Sequence, residues 1–199
     1  MMIRRLSQDL SESGWHSRDY LPHFEGGVIP QFVTFRLKDS LPQEVLERWR
    51  SEAGRQENES VLRRRVEAYL DQGYGEALLK RQDVASLVEN ALLHFDGNRY
   101  RLAAWVVMPN HVHFLATPRP SHTLSRIMHS VKSYTAGEAN KLLRRKGTFW
   151  QEEYYDRYIR DPEHYAQAID YIEMNPVKAR LCQSPEEWQF SSARFRQRP

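Results

Sequence analysis

The spacing of hydrophobic residues predicts a β-hairpin near the middle of the chain. Residues 100–117 are two apolar runs rich in β-forming residues, and Pro109 and Asn110 between them are typical of a tight turn. The alternating segment 31–37 predicts an earlier strand, and the aromatic stretch 148–159 is expected to contain a later one.

Amphipathic spacing predicts helices on both sides of this hairpin. Residues 42–97 contain three such segments, and Asp83 is a candidate N-cap for the third. A fourth helix is expected from Thr123, a candidate cap, to about Leu143.

The order of these elements predicts an α+β domain with a mainly antiparallel sheet. We expect residues 1–30, which are polar and interrupted by glycine and proline, to form an irregular N-terminal arm. Residues 31–180 are expected to form the domain, with 42–97 as a helical insertion, and residues 181–199 to form a C-terminal tail.

Charge and cysteine content narrow the classes of function. The chain has a net charge of +3, and its basic residues cluster at 63–65, 141–146 and 194–198, which favours a polyanionic partner. Solvated helix faces would produce the same clusters.

The sequence shows neither a stretch of roughly 18 apolar residues nor a secretory signal. The single cysteine, Cys182, excludes a thiolate zinc cluster. We therefore expect a cytoplasmic protein without a membrane partner.

A pair of histidines stands in the second strand of the predicted hairpin. His111 and His113 flank Val112, and alternate side chains of a strand face the same way, about 6.5–7 Å apart along the backbone. This spacing allows two ring nitrogens to bind one metal ion. The alternative is a pair of polar positions at a strand end that are hydrogen-bonded or hydrated.

The last predicted helix begins at Asp161, an N-cap residue followed by proline and glutamate. It is expected to end near Asn175, because Pro176 disfavours helical geometry in the residue before it. Tyr171 and Asn175 are four residues apart and share a face, as a candidate nucleophile and a candidate metal ligand. The alternative is an ordinary half-buried tyrosine and a helix cap.

Several segments together resemble the single-tyrosine HUH transposases of the IS200-like group. Residues 105–113, WVVMPNHVH, resemble the HUH motif, in which U is a hydrophobic residue, and residues 171–177, YIEMNPV, resemble the segment with the catalytic tyrosine. Other segments are similar to the branch called REP-associated tyrosine transposases, namely residues 20–37, FWQ at 149–151 and WQFSS at 188–192.

This resemblance implies a ferredoxin-like or RRM-like core and a specific chemistry. It implies that His111 and His113 bind Mg²⁺ or Mn²⁺, with Asn175 as third ligand where relatives carry a glutamine. It also implies that Tyr171 attacks a phosphate of single-stranded DNA, which leaves a 5′-phosphotyrosine and a free 3′-hydroxyl. The DNA would form a hairpin, such as a repetitive extragenic palindrome (REP), and the protein would act as a monomer or a homodimer.

Two other functions remain open at this point. A non-catalytic regulator that binds structured DNA would need neither the histidine pair nor Tyr171. A metal-dependent hydrolase that uses bound water would still cleave DNA after Tyr171→Phe. For DNA contacts we predict Lys132, Arg144 and Arg145, although a solvated helix face accounts for these residues equally well.

Overall fold

A four-stranded antiparallel sheet lies at the centre of the structure, a computed structural model that describes residues 14–18, 21–25, 27–53 and 59–196. Its strand order is β4-β5-β3-β6, and β1 and β2 form a separate antiparallel hairpin. The strands are β1 Gly14–Arg18, β2 Leu21–Glu25, β3 Gln31–Arg36, β4 Tyr100–Val107, β5 His111–Pro118 and β6 Tyr155–Tyr158.

Five α-helices surround the sheet in the described part of the chain. They are α1 Gln43–Ala53, α2 Glu59–Leu70, α3 Gln82–His94, α4 Leu124–Leu142 and α5 Pro162–Lys178. The order β3, α1–α3, β4, β5, α4, β6 together with the strand order is the ferredoxin-like arrangement. The predicted α+β class with an antiparallel sheet is confirmed.

The two faces of the sheet pack against different helices. Val33 and Phe114 point to the face covered by α3 and α4, whereas Phe32 and Leu115 point to the face covered by α5. Because neighbouring residues of a strand alternate between faces, His111 and His113 fall on the α5 face.

The helix ends agree only in part with their sequence signals. Thr123 and Asp161 cap α4 and α5 as predicted, each accepting a hydrogen bond from a backbone N–H three residues on. Asp83 is not a cap, because α3 begins at Gln82 and the carboxylate of Asp83 instead pairs with Arg81. Helix α5 does not end at Asn175 but continues through Pro176 to Lys178.

The continuation of α5 has a reason in packing. Proline inside a helix costs about 3 kcal/mol through a lost hydrogen bond and a steric clash. Ile172, Asn175 and Pro176 are all buried on the side of α5 that faces the sheet. Burial of these three side chains offsets the free-energy cost of the proline and keeps the end of α5 beside the histidine pair.

Both terminal segments contain ordered contacts in the described residues. Part of the predicted arm forms the β1–β2 hairpin, while residues 1–13 lie outside the described residues. The predicted C-terminal tail returns to the sheet: Val107 N–H donates to Phe190 O at 2.9 Å, and Ser192 donates to buried Glu173 at 2.7 Å. In the described ranges, none of the helices combines the length and the hydropathy needed to cross a bilayer.

Candidate active site

Two imidazoles meet on the face of the sheet that α5 covers. The Nε2 atoms of His111 and His113 are 3.0 Å apart. Both side chains are buried, with exposed fractions of 1% and 0%. The two rings therefore share one face, as strand alternation predicts, and their nitrogens converge on one point.

A hydrogen-bond chain fixes the tautomer of His111. Asn110 Nδ2 donates to Tyr74 O at 2.9 Å, which turns Asn110 Oδ1 toward the ring, 2.8 Å from His111 Nδ1. Since an amide oxygen is only an acceptor, His111 Nδ1 must carry the proton and donate. The lone pair of His111 is therefore on Nε2, the nitrogen that faces His113.

Thr34 plays the corresponding part for His113. The two residues are cross-strand partners on β3 and β5, and Thr34 Oγ1 lies 2.7 Å from His113 Nδ1. A hydroxyl donates or accepts, so it accommodates either tautomer of the ring. With the proton on His113 Nδ1, both Nε2 atoms present lone pairs to the same point, as metal binding requires.

Burial keeps both rings neutral. It lowers the pKa of His111 to about 3. Burial and the neighbouring His111 lower the pKa of His113 well below its ordinary value. The pair is therefore unprotonated at neutral pH, and a cation does not have to displace a proton from it.

Tyr171 lies against this pair in the same chain. Its ring is 5.5 Å from the ring of His113, centroid to centroid, and 5.7 Å from Phe32. Burial, followed by the nearby charges of Glu67 and Asp71, raises the pKa of the Tyr171 phenol above its ordinary value. A helix and a strand that are distant in sequence therefore bring the candidate nucleophile to the histidines.

Asn175 is one helical turn after Tyr171 and is completely buried. Neither its Oδ1 nor its Nδ2 has a hydrogen-bond partner among the described residues. An unpaired buried amide is costly, by about 1–3 kcal/mol, and calls for an explanation. Its role as a metal ligand stays a prediction, and the unpaired oxygen supports it.

Helix α2 and the residue after it bring two carboxylates to the site. The sequence signals did not identify either of them as a site residue. Glu67 lines a cavity together with Tyr171, and its charge is one of the causes that raise the pKa of the phenol. Asp71, directly after the helix, has its Oδ1 atom 3.9 Å from His111 Nε2. Burial raises the pKa of Glu67, and burial followed by the charge of Glu67 raises that of Asp71 to about 6. Their i, i+4 spacing on an amphipathic helix was the available signal, but many surface helices share it.

Basic side chains also surround Tyr171. Lys178 Nζ is 4.8 Å from the centroid of its ring. Arg63 and Arg157 line a cavity of about 190 Å³ together with Tyr171 and Glu67. Arg157 Nε is buried without a hydrogen-bond partner in the described part of the chain. Guanidinium groups in such a position are suited to bind phosphate oxygens.

The three residues predicted to contact DNA do not join this site. Lys132 donates to the backbone carbonyls of residues 151–152, and burial lowers its pKa to about 8. Arg145 pairs with Glu76 at 2.9 Å, and Arg144 is exposed in the turn after α4. Because α4 packs on the opposite face of the sheet, the structure separates this helix from the histidine pair. Their contact with DNA stays a prediction.

The residues present fit a hard divalent cation. No three His, Cys, Asp or Glu side chains are gathered at ligand spacing within the described ranges, so the histidine pair needs at least one further oxygen ligand. The buried, unpaired amide of Asn175 supplies one. Two imidazoles at 3.0 Å match neighbouring ligands of an octahedral ion, which are about 3.0 Å apart for bonds of about 2.1 Å.

Loss of the Thr34 hydroxyl is expected to weaken metal binding without disturbing the fold. Thr34→Val keeps the shape and the strand preference but leaves His113 Nδ1 without its partner. We expect the affinity for Mn²⁺ to fall by about 10–100-fold in titration calorimetry. Thr117→Val is the matched control, since the buried Thr117 hydroxyl has no hydrogen-bond partner among the described residues. Equal affinities of the two variants would contradict the prediction.

Comparisons with known proteins agree on one family. The model of the family described as "Transposase IS200 like" matches residues 76–175, which contain the histidine pair, Tyr171 and Asn175. A REP-associated tyrosine transposase of Escherichia coli (strain K12) is 27% identical over 111 residues, or 53% of this chain and 62% of the relative. An uncharacterized protein of Haemophilus influenzae is 30% identical over 98 residues, or 39% of this chain and 54% of the relative. The chain thus spans less than two thirds of either curated relative.

A solved structure has the same fold. It is a REP-associated tyrosine transposase bound to a REP hairpin, with a TM-score of 0.58 over 90% of this chain and 84% of that one. The identity is 18%, so this similarity concerns the fold. Helix α2 with Glu67, and Asp71 directly after it, precede the segment that matches the family model.

Proposed function

Because this chain belongs to the family of IS200-like transposases, as its motifs predict, we propose that it cleaves and rejoins single-stranded DNA through Tyr171. The observation that carries the proposal is the contact of the Tyr171 ring with His113 inside one chain, at 5.5 Å between centroids. Because these two rings lie together in one chain, the proposal is compatible with a monomer and with a homodimer.

The proposed reaction exchanges one phosphodiester bond for another. The Tyr171 oxygen attacks a backbone phosphorus, the bond from phosphorus to the 3′-oxygen breaks, and a 5′-phosphotyrosine forms. The leaving oxygen takes up a proton and becomes a free 3′-hydroxyl. Attack by a 3′-hydroxyl on the phosphotyrosine reverses the step and rejoins a strand. A covalent intermediate conserves the bond, which simple hydrolysis does not.

A divalent cation, Mg²⁺ or Mn²⁺, is proposed to be held by His111, His113 and Asn175. When bound, it supplies a Lewis acid that polarises the scissile phosphate and stabilises charge on its oxygens. Thr34 and Asn110 orient the two imidazoles from the side opposite to the ligand nitrogens.

Glu67 is positioned to hold the proton of the nucleophile. A phenol is a weak nucleophile near neutral pH, and burial of Tyr171 makes its ionisation harder still. Proton transfer to the neighbouring Glu67, which lines the same cavity, moves a negative charge from the carboxylate to the phenol without changing the charge of the pair. The same carboxyl group can return the proton to the leaving 3′-oxygen.

Cationic side chains next to Tyr171 are proposed to receive the DNA backbone. Arg63 and Arg157 border the cavity beside the phenol, and Lys178 lies against its ring. Phosphate groups placed here would bind to guanidinium donors and neutralise the positive charge. By analogy with the relative that binds a REP hairpin, we propose hairpin-forming DNA as the substrate.

The experiment detects both DNA fragments that result from one cleavage event. The full-length protein is incubated with Mn²⁺ and a single-stranded oligonucleotide that carries a REP hairpin, labelled at either end, and run on a denaturing gel. We expect the 3′-labelled part to migrate with the protein until protease digestion. The 5′-labelled part should be free and extendable by a polymerase. A chelator should abolish both products.

Other outcomes separate the alternatives. Cleavage without a protein adduct would overturn the proposal in favour of a hydrolase that uses water. Hairpin binding without cleavage, with either Mg²⁺ or Mn²⁺, would overturn it in favour of a non-catalytic regulator.

A further inference from the structure

We propose that Asp71 is a further ligand of the divalent cation at the histidine pair, supplied by helix α2. The inference deepens the proposed function and rests on it for the presence of the cation. It assigns a chemical role to a helix that precedes the segment shared with the family model, residues 76–175.

The position of Asp71 is the first observation. Its Oδ1 atom lies 3.9 Å from His111 Nε2, which in turn is 3.0 Å from His113 Nε2. In an octahedral site with bonds of about 2.1 Å, neighbouring ligands are about 3.0 Å apart and opposite ligands about 4.2 Å apart. The separation of 3.9 Å is close to that of opposite ligands, so a small shift of the carboxylate would bring it to the cation.

The state of this oxygen is the second observation. Asp71 Oδ1 is buried and has no hydrogen-bond partner among the described residues. The side chain as a whole is 27% exposed, at the wall of a groove of about 470 Å³ between the end of α2 and the end of α5. It can therefore rotate toward the imidazoles without breaking a hydrogen bond of that oxygen.

The charge of the ligand set is the third observation. Imidazoles bind metal ions in their neutral form and an amide is uncharged, so these ligands carry no negative charge, and a buried dication without an anionic ligand is unfavourable. Mg²⁺ in proteins is usually bound through one or two carboxylates. Glu67 is already engaged with Tyr171 and with Arg63, at 3.6 Å. Among the described residues beside the histidine pair, Asp71 is a carboxylate that is available for the cation.

The test measures metal binding rather than activity. Mn²⁺ affinity of the full-length protein without DNA is determined by titration, with free Mn²⁺ followed by electron paramagnetic resonance. We expect Asp71→Asn to bind Mn²⁺ at least about tenfold more weakly than the wild type, as expected for loss of a charged ligand. Asp170→Asn removes an equal charge from an exposed position on α5 and should bind like the wild type.

A gain of binding provides a second readout. Asp71→Cys replaces a hard oxygen by a soft sulfur, so we expect it to bind Cd²⁺ more tightly than the wild type. Asp170→Cys adds the same thiol outside the site and should not. This comparison is informative even where Asp71→Asn changes the stability of the fold.

The outcomes distinguish this inference from the proposed function. If Asp71→Asn binds Mn²⁺ like the wild type while His111→Ala does not, Asp71 is not a ligand and the histidine site stands. If His111→Ala also binds like the wild type, the proposed metal site itself fails. Equal Cd²⁺ affinity of the two cysteine variants would likewise overturn the role of Asp71.

Discussion

Tyr171→Phe is expected to form no covalent protein–DNA adduct and to lose strand cleavage by roughly 10³-fold or more, the scale seen when a nucleophile is removed. The variant keeps the ring that packs against His113 and Phe32 and removes one oxygen. We therefore expect the fold and the affinity for Mn²⁺ to be retained. The measurement is the rate of appearance of both labelled products on denaturing gels.

A second tyrosine of the same helix supplies the control. Tyr165 packs against the same side of the core but does not contact the histidine pair in any described interaction. Tyr165→Phe should therefore cleave and form adducts like the wild type. If Tyr171→Phe still cleaves and only the adduct is lost, bound water is the nucleophile. If it still forms the adduct, another side chain attacks.

Local sequence signals were sufficient for the histidine pair and for the helix with Tyr171. Strand alternation placed His111 and His113 on one face without knowledge of the rest of the fold. The N-cap at Asp161 fixed the start of α5, and four-residue spacing placed Tyr171 and Asn175 on one face. Each inference depended on residues close together in the chain.

The rest of the site depends on contacts between distant segments. Glu67 and Asp71 reach it because α2 lies beside the sheet, where Arg63 donates to Tyr155 of β6, and the periodicity of a surface helix does not reveal this. The contact of Thr34 with His113 depends on the register in which β3 pairs with β5. A shift of one residue in this pairing would turn the Thr34 hydroxyl to the other face of the sheet. The hydrogen bond from Lys132 to the carbonyl of Gln151 likewise joins distant segments, and the contact of Lys132 with DNA stays a prediction.

Glu67→Gln is expected to slow adduct formation by about 10²–10⁴-fold, the usual contribution of a general base. Glutamine keeps the size of the side chain and can still accept a hydrogen bond from Tyr171, but it cannot take up the proton. The measurement is the rate of a single turnover on hairpin DNA as a function of pH. Glu138→Gln, on the opposite face of the sheet, is the control for loss of one charge.

The pH profile of the wild type should report the same group. Glu67 accepts a proton only when ionised, and burial raises its pKa above the ordinary value of a glutamate. The rate should therefore fall as the pH drops through this raised pKa, at higher pH than for an exposed carboxylate. In Glu67→Gln the part of the acidic limb that Glu67 produces should disappear, and a limb that remains near pH 6 would report Asp71.

The sign of the effect separates two roles that Glu67 could have. The negative charge of Glu67 is one of the causes that raise the pKa of Tyr171, so its removal alone makes the phenolate easier to form. If the carboxylate acted only through its charge, Glu67→Gln would be faster than the wild type. A slower variant requires that the lost proton acceptor outweighs the relief of repulsion. A faster variant would show that the proton of Tyr171 leaves by another route.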